Sequence, residues 1–225
     1  MAMAFGSMLI MTGCADADAP TGDALYRSAE KAYLPFAEDL HALLMGVHAG
    51  DWAVDQGQHG ALPISCQRGA DDFGYSFHAA RSATLSESDP DAVVEAARDA
   101  FEDLGIDAAV STFGEGEAEE RNIIGTGGSL GRAAVTFKPA TGSIRVSAQT
   151  ACFAGSAFDV GVLVFGDDAN DSALRLPAFE GPASVPQFYF PADGPVYYSP
   201  DGTPILPQPV VTDPPEAPYE EVPSS

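Results

Sequence analysis

The stretch Arg132-Ala-Ala-Val-Thr-Phe-Lys-Pro-Ala-Thr-Gly-Ser-Ile-Arg-Val-Ser-Ala-Gln-Thr150 decides the fold. Residues 132–138 and 144–150 each alternate apolar and polar side chains, which is the period of a β-strand with one buried face. Between them, the segment 139–143 contains Pro and Gly and favours a turn. We therefore predict an antiparallel hairpin with one covered, apolar face and one polar face.

Other segments show the same strand pattern. We predict strands at 62–67, at 73–84 and at 108–113, and an edge strand at 158–165. The strand at 73–84 places Tyr75 on its apolar face. Without the edge strand at 158–165, which could add to the sheet, these segments and the hairpin predict an antiparallel sheet of about five strands.

Two segments have helical periodicity. Apolar residues recur at steps of three and four over 23–48 and again over 90–104. We predict that Pro35 kinks or divides the first helix, and that Ser88 or Asp89 caps the second. Two helices that cover one face of the sheet give a two-layer α+β domain. The apolar stripe of the first helix faces either the core or a partner, and its spacing favours the core.

Three segments lack periodicity and are predicted as loops or tail. Residues 51–60 form a loop in which Trp52 either covers the core edge or offers a stacking surface to a ligand. The glycine-rich segment 114–131 is expected to be a long mobile loop between two strands. Residues 176–225 hold 13 of the 18 prolines and no Lys or Arg, so we expect a mostly disordered tail. Aromatic residues at 188–198 could dock on the domain, and a pocket lined by Trp52 and Tyr75 would indicate ligand binding.

The charge of the chain excludes one class of function. Asp and Glu number 33 against 10 Lys and Arg, and the net charge is −23. A polyanion of this strength repels nucleic acid and anionic lipid headgroups, so we predict no nucleic-acid binding. The scarcity of Lys, with abundant Ala, Gly and Asp, is typical of an actinobacterial protein.

The N-terminus carries a targeting motif. An uncharged apolar run ends at Met11-Thr12-Gly13-Cys14, which resembles the lipobox of bacterial lipoproteins. The run is too short to span a bilayer, and Met1 to Ala4 lack the positive charge usual at the start of a signal peptide. The resemblance implies that residues 1–13 are a signal peptide and that Cys14 is lipidated. It also implies that the protein lies on the outer face of the cell membrane. The small, polar residues that follow Cys14 predict a tether over 14–22, and the helix and strand patterns place the α+β domain at 23–175.

With Cys14 lipidated, Cys66 and Cys152 remain as an even pair. In an exported chain such a pair predicts a disulfide; two buried free thiols are the alternative. The spacing required for a zinc site is absent from the sequence.

Sites for catalysis or metal binding are weakly indicated. His41 and His48 lie seven residues apart on the first helix, too far for shared ligation, and with His59 and His78 they are expected to be solvated or edge residues. The acidic stretch 167–172 lacks the glycine and the closing Glu of a calcium loop. We find neither a nucleophile motif nor a cofactor motif.

The sequence therefore predicts a monomeric, membrane-anchored lipoprotein with a non-enzymatic binding or structural role towards a cell-envelope or protein partner. It implies no cofactor. The alternative is an accessory lipoprotein of a transporter or sensor that binds a small ligand or cation, and a hydrolase comes third.

Overall fold

The computed structural model describes residues 19–55, 63–86, 88–165 and 177–188. Three α-helices are present in this part of the chain: α1 at Gly22–Val47, α2 at Pro90–Asp103 and α3 at Ala157–Phe165. A single 3₁₀ turn occupies Gly116–Ala118. The predicted helices at 23–48 and 90–104 are confirmed, and Pro35 lies inside α1 without dividing it.

The described residues form nine strands. They are β1 Trp52–Val54, β2 Pro63–Gln67, β3 Phe73–Thr84, β4 Ala108–Phe113, β5 Glu120–Gly127, β6 Gly131–Lys138, β7 Ser143–Gln149, β8 Phe153–Ala154 and β9 Phe179–Glu180. The sheet runs in the order β4-β5-β6-β7-β3-β1-β9, and β2 and β8 both pair with β3. All these pairs are antiparallel. The predicted α+β class and antiparallel sheet are confirmed, with more strands than the five expected.

The core lies between the helices and one face of the sheet. The buried row of α1 includes Leu25, Phe36 and Leu44, and the hairpin contributes Val135 and Val146. Where α1 meets α2 the two backbones approach closely, because a Cβ at Gly46 would lie 2.7 Å from that of Ala100. Asp89 caps α2 as predicted, since its side chain accepts a hydrogen bond from the Asp91 N–H.

The predicted edge strand at 158–165 is wrong, because this segment forms α3. Ser156, the residue before α3, caps the helix, because its hydroxyl accepts a hydrogen bond from the Asp159 N–H. Val160, Leu163 and Val164 are buried while Phe158 is exposed. A short apolar run is equally compatible with a strand or a buried helix. Here the buried residues are spaced by three and four positions, as in a helix.

The predicted long loop at 114–131 is also wrong over most of its length. Residues 120–127 form β5, which pairs with β4 on one side and β6 on the other. The glycines of this segment, Gly125 among them, led us to predict a loop. Gly125 is instead required for packing, because a larger side chain would not fit there. A Cβ there would lie 2.7 Å from Ile106 and 2.9 Å from Phe101, so only glycine lets α2 and its following residues approach the sheet.

The loop predicted at 51–60 begins with a strand instead. Residues 52–54 pair with β3 on one side and with β9 on the other. Both partners are distant in sequence, so local periodicity over three residues could not reveal this strand.

The fold also extends past the boundary predicted at residue 175. Residues 179–180 join the sheet as β9, and Phe188 packs against Tyr26, Tyr33 and Phe77 with ring centroids 5.1 to 6.0 Å away. Aromatic burial of this kind adds several favourable contacts to the core. The remaining predicted tail, the acidic stretch 167–172 and the N-terminal motif lie outside the described residues.

Candidate functional site

A buried cluster of charged side chains joins α1, β3 and β9. The Nδ1 atom of His41 lies 2.9 Å from Glu180 Oε1, and the Arg81 Nε–H donates to Glu180 Oε2 over 2.7 Å. Arg81 also donates to the carbonyl of Ala80. The side chains of Arg81 and Glu180 are 8% and 13% exposed, which is rare for charged groups and requires that they be paired.

Strand register brings the cluster together. Val54 lies opposite Arg81, and Trp52 lies opposite Glu180. Because residues two apart on a strand point to the same face, Arg81 and Glu180 share the face that carries the fully buried Trp52. α1 covers that face. His41 is the next residue in α1 after Leu40, which belongs to the buried row of the helix.

The surroundings of the cluster set its protonation. Burial raises the pKa of Glu180, but the Arg81 charge and the hydrogen bonds from His41 and Arg81 outweigh burial and lower the pKa below its usual value. Burial raises the pKa of the neighbouring Tyr33 to about 12, with Arg81 opposing and Glu180 adding to the rise. Near neutral pH the cluster therefore holds an ionised carboxylate beside a neutral phenol.

The cluster acts as a structural clamp, by which we mean a set of hydrogen bonds that holds α1, β3 and β9 together. A carboxylate that orients an imidazole also occurs in enzymes, where the imidazole then faces a nucleophile. In this chain the second Glu180 oxygen also accepts a hydrogen bond from Arg81, so the three residues connect distant parts of the chain. The Ser129 hydroxyl, by contrast, lies within hydrogen-bond distance of the Asp39 carboxylate and of the Pro35 carbonyl, and its one proton can be donated to either. This contact attaches the β5–β6 turn to α1.

The two predicted ligand-binding residues lie in the core. Trp52 and Tyr75 are both fully buried. The Trp52 indole N–H donates to the carbonyl of His48 over 3.0 Å, and the Tyr75 hydroxyl donates to the Ser28 hydroxyl over 3.3 Å. Their polar atoms therefore bond within the fold, as expected for the core interpretation rather than for a stacking surface.

The predicted disulfide is present. Cys66 and Cys152 are bonded, with their Cα atoms 5.9 Å apart and a sequence separation of 86. The bond joins β2 to the residue that precedes β8, and both strands pair with the start of β3. Cys14, the predicted lipidation site, lies outside the described residues.

The histidines divide between different environments. His41 belongs to the buried cluster and is 19% exposed, which fits the edge position and not the solvated one among the two that we predicted. The ring of His48 packs near that of Trp52, with centroids 6.0 Å apart. Within the described ranges, no group of three or more His, Cys, Asp or Glu side chains is arranged to hold a metal ion. Among the helices that the structure describes, none is long and apolar enough to cross a membrane.

A second feature is the open face of the sheet, which we define by Arg132, Lys138 and Arg145 on β6 and β7. All three side chains are exposed and lie on the face opposite the buried Val135 and Val146. Arg145 reaches Asp55 and Lys138 reaches Glu120. The polar alternation of the hairpin predicted this face. Its three basic side chains are notable because the chain as a whole has a net charge of −23.

One solved structure is similar to this chain: the crystal structure of a DUF4853 family protein from Actinomyces odontolyticus. The alignment covers 56% of this chain and 69% of that chain, at 20% sequence identity and a TM-score of 0.38. No protein-family model matches the chain, and no curated protein matches it significantly.

Proposed function

We propose that this chain is a lipid-anchored protein of the outer cell surface, with a non-enzymatic binding or structural role in the envelope. The cysteines carry the proposal. The Cys66–Cys152 bond uses two of the three cysteines, so Cys14 has no cysteine partner left within the chain. A disulfide suits an exported protein, and Cys14 stands at the end of the lipobox-like motif.

The short tether supports a position close to the membrane. From Cys14 to Thr21, the residue before α1, the chain spans seven peptide units (21 − 14). Fully extended, these reach about 25 Å. The anchored domain would thus remain near the bilayer surface, where it can meet envelope components.

A binding role rather than catalysis is supported by where the reactive groups lie. His41, Glu180 and Arg81 bond one another between the helix layer and the sheet, and Trp52 and Tyr75 are core residues. Among the described residues, the open face of the sheet and β4 at the end of the strand order are exposed to solvent. Surfaces of this kind serve recognition.

The anchor is tested by replacing Cys14. We expect Cys14→Ser to move the protein from the membrane fraction to the soluble fraction and to abolish incorporation of an alkyne fatty acid, because the thiol is the acylation site. The control is the double variant Cys66→Ser/Cys152→Ser, which loses the disulfide but keeps Cys14, and should stay labelled and membrane-bound. Equal retention of Cys14→Ser and wild type would refute the proposal.

A further inference from the structure

The edge of the sheet formed by β4 is exposed and uncharged. β4 is at one end of the strand order, and β5 is the only strand paired with it in the described part of the chain. In an antiparallel ladder every second residue directs its N–H and C=O to each neighbour. Half of the backbone groups of β4 therefore point away from β5, towards a side where none of the described strands lies.

β4 lacks the features that protect most edge strands. Its sequence, Ala-Ala-Val-Ser-Thr-Phe, contains neither charge nor proline, and natural edges are commonly protected by Lys, Pro or a bulge. Val110 is 44% and Phe113 60% exposed, one on each face of the strand. The edge therefore offers backbone groups together with apolar side chains, as β-augmentation requires.

Acidic residues flank the edge at both ends. Asp107 precedes β4, and Glu115 and Glu117 follow it; all three are exposed. A second copy paired antiparallel to β4 would place Asp107 of one chain beside Glu115 and Glu117 of the other, and these like charges repel. The C-terminal segment 189–225 contains Asp and Glu but no Lys or Arg, so it meets the same repulsion, and its prolines lack N–H donors.

We propose that β4 binds an extended segment of another protein, which adds a strand to the sheet and carries Lys or Arg at both ends. The six residues of β4 set the length of the uncharged middle. The basic ends would meet Asp107 on one side and Glu115 and Glu117 on the other. This inference rests on the proposed binding role and names the chemistry of the partner.

The test uses the full chain and two labelled peptides. Both have the same alternating Thr-Val centre of about six residues, matched to the mean strand length; one has two Lys at each end and the other two Glu. We expect the Lys peptide to bind at least about tenfold more tightly by fluorescence anisotropy, a difference of about 1.4 kcal/mol. Equal binding of the two peptides, or no binding of the Lys peptide, would overturn the inference.

A matched pair of variants locates the binding. Val110→Lys places a cation on the edge, and should weaken binding of the Lys peptide by about tenfold or more. Ser143→Lys makes the same charge change at an exposed site on β7, an interior strand, and should leave binding within about twofold. Circular dichroism melts confirm that both variants fold.

The outcomes separate this inference from the proposed function. Unchanged binding in Val110→Lys would reject β4 as the site, while the membrane location of the wild type would be unaffected. A dimer in solution that Val110→Lys dissociates would instead make a second copy the occupant and overturn the inference. Loss of membrane anchoring bears only on the proposed function, because peptide binding is measured in solution.

Discussion

At the scale of single residues, the Arg81–Glu180 pair dominates the energetics of the buried cluster. Both side chains are largely separated from water, and the two opposite charges face each other over 2.7 Å. His41 adds a hydrogen bond from α1, so one carboxylate connects three elements. A lost partner would leave an uncompensated buried charge, which costs more than the pair itself contributes.

Glu180→Gln should therefore destabilise the protein strongly. The variant keeps the shape of the side chain but removes the negative charge that faces the buried Arg81 guanidinium, so we expect a loss of about 3 kcal/mol, or about 6–12 °C in Tm. Glu117→Gln, an exposed carboxylate in the 3₁₀ turn, is the control and should change stability by less than about 0.5 kcal/mol. Similar melts for the two variants would show that the cluster is not a clamp.

The same residue predicts a pH dependence. The pKa of Glu180 is lower in the folded chain than its ordinary value of 4.5, so the folded state holds this proton less tightly than the unfolded state does. Its stabilisation is complete above pH 4.5 and is lost as the pH falls below that value through the lowered pKa. Melts from pH 7 to about pH 3 should show a steeper acid loss in wild type than in Glu180→Gln.

At the scale of elements, close approach explains residues that look like loop signals in the sequence. Gly125 in β5 lies beneath Phe101 and Ile106, with no room for a Cβ. Gly125→Ala should overpack this contact and cost about 2 kcal/mol, or about 4–8 °C in Tm. Gly69→Ala, where a Cβ would make an ordinary contact at 3.5 Å with Asp72, is the control. An unchanged melt for Gly125→Ala would mean that α2 can shift without cost.

At the scale of the whole molecule, the segment 177–188 belongs to the domain. It adds β9 to the sheet, supplies Glu180 and fills the core with Phe188. Phe188→Ala should lower stability by about 3 kcal/mol, because the cavity would lie among Tyr26, Tyr33 and Phe77. In the same segment Val185 is 71% exposed, and Val185→Ala should leave the melt unchanged. Equal effects of the two would place the segment outside the cooperative unit.

Local sequence patterns determined the parts of the fold whose partners are close in the chain. The two long helices, the β6–β7 hairpin and the capping residue Asp89 follow from periodicity and turn chemistry that act within a few residues. The pairing of Cys66 with Cys152 followed from the count of cysteines and the export motif.

Only the tertiary structure decided the rest, because long-range pairing leaves no local signal. β1 and β9 are three and two residues long and exist because each lies beside a distant strand. β5 forms a strand in spite of its glycines because it pairs with a strand on each side. The apolar segment of α3 is compatible with a strand or a helix, and its packing in the core determines that it is helical. The cluster of His41 and Glu180 joins side chains 139 residues apart, and no spacing along the chain could predict that contact.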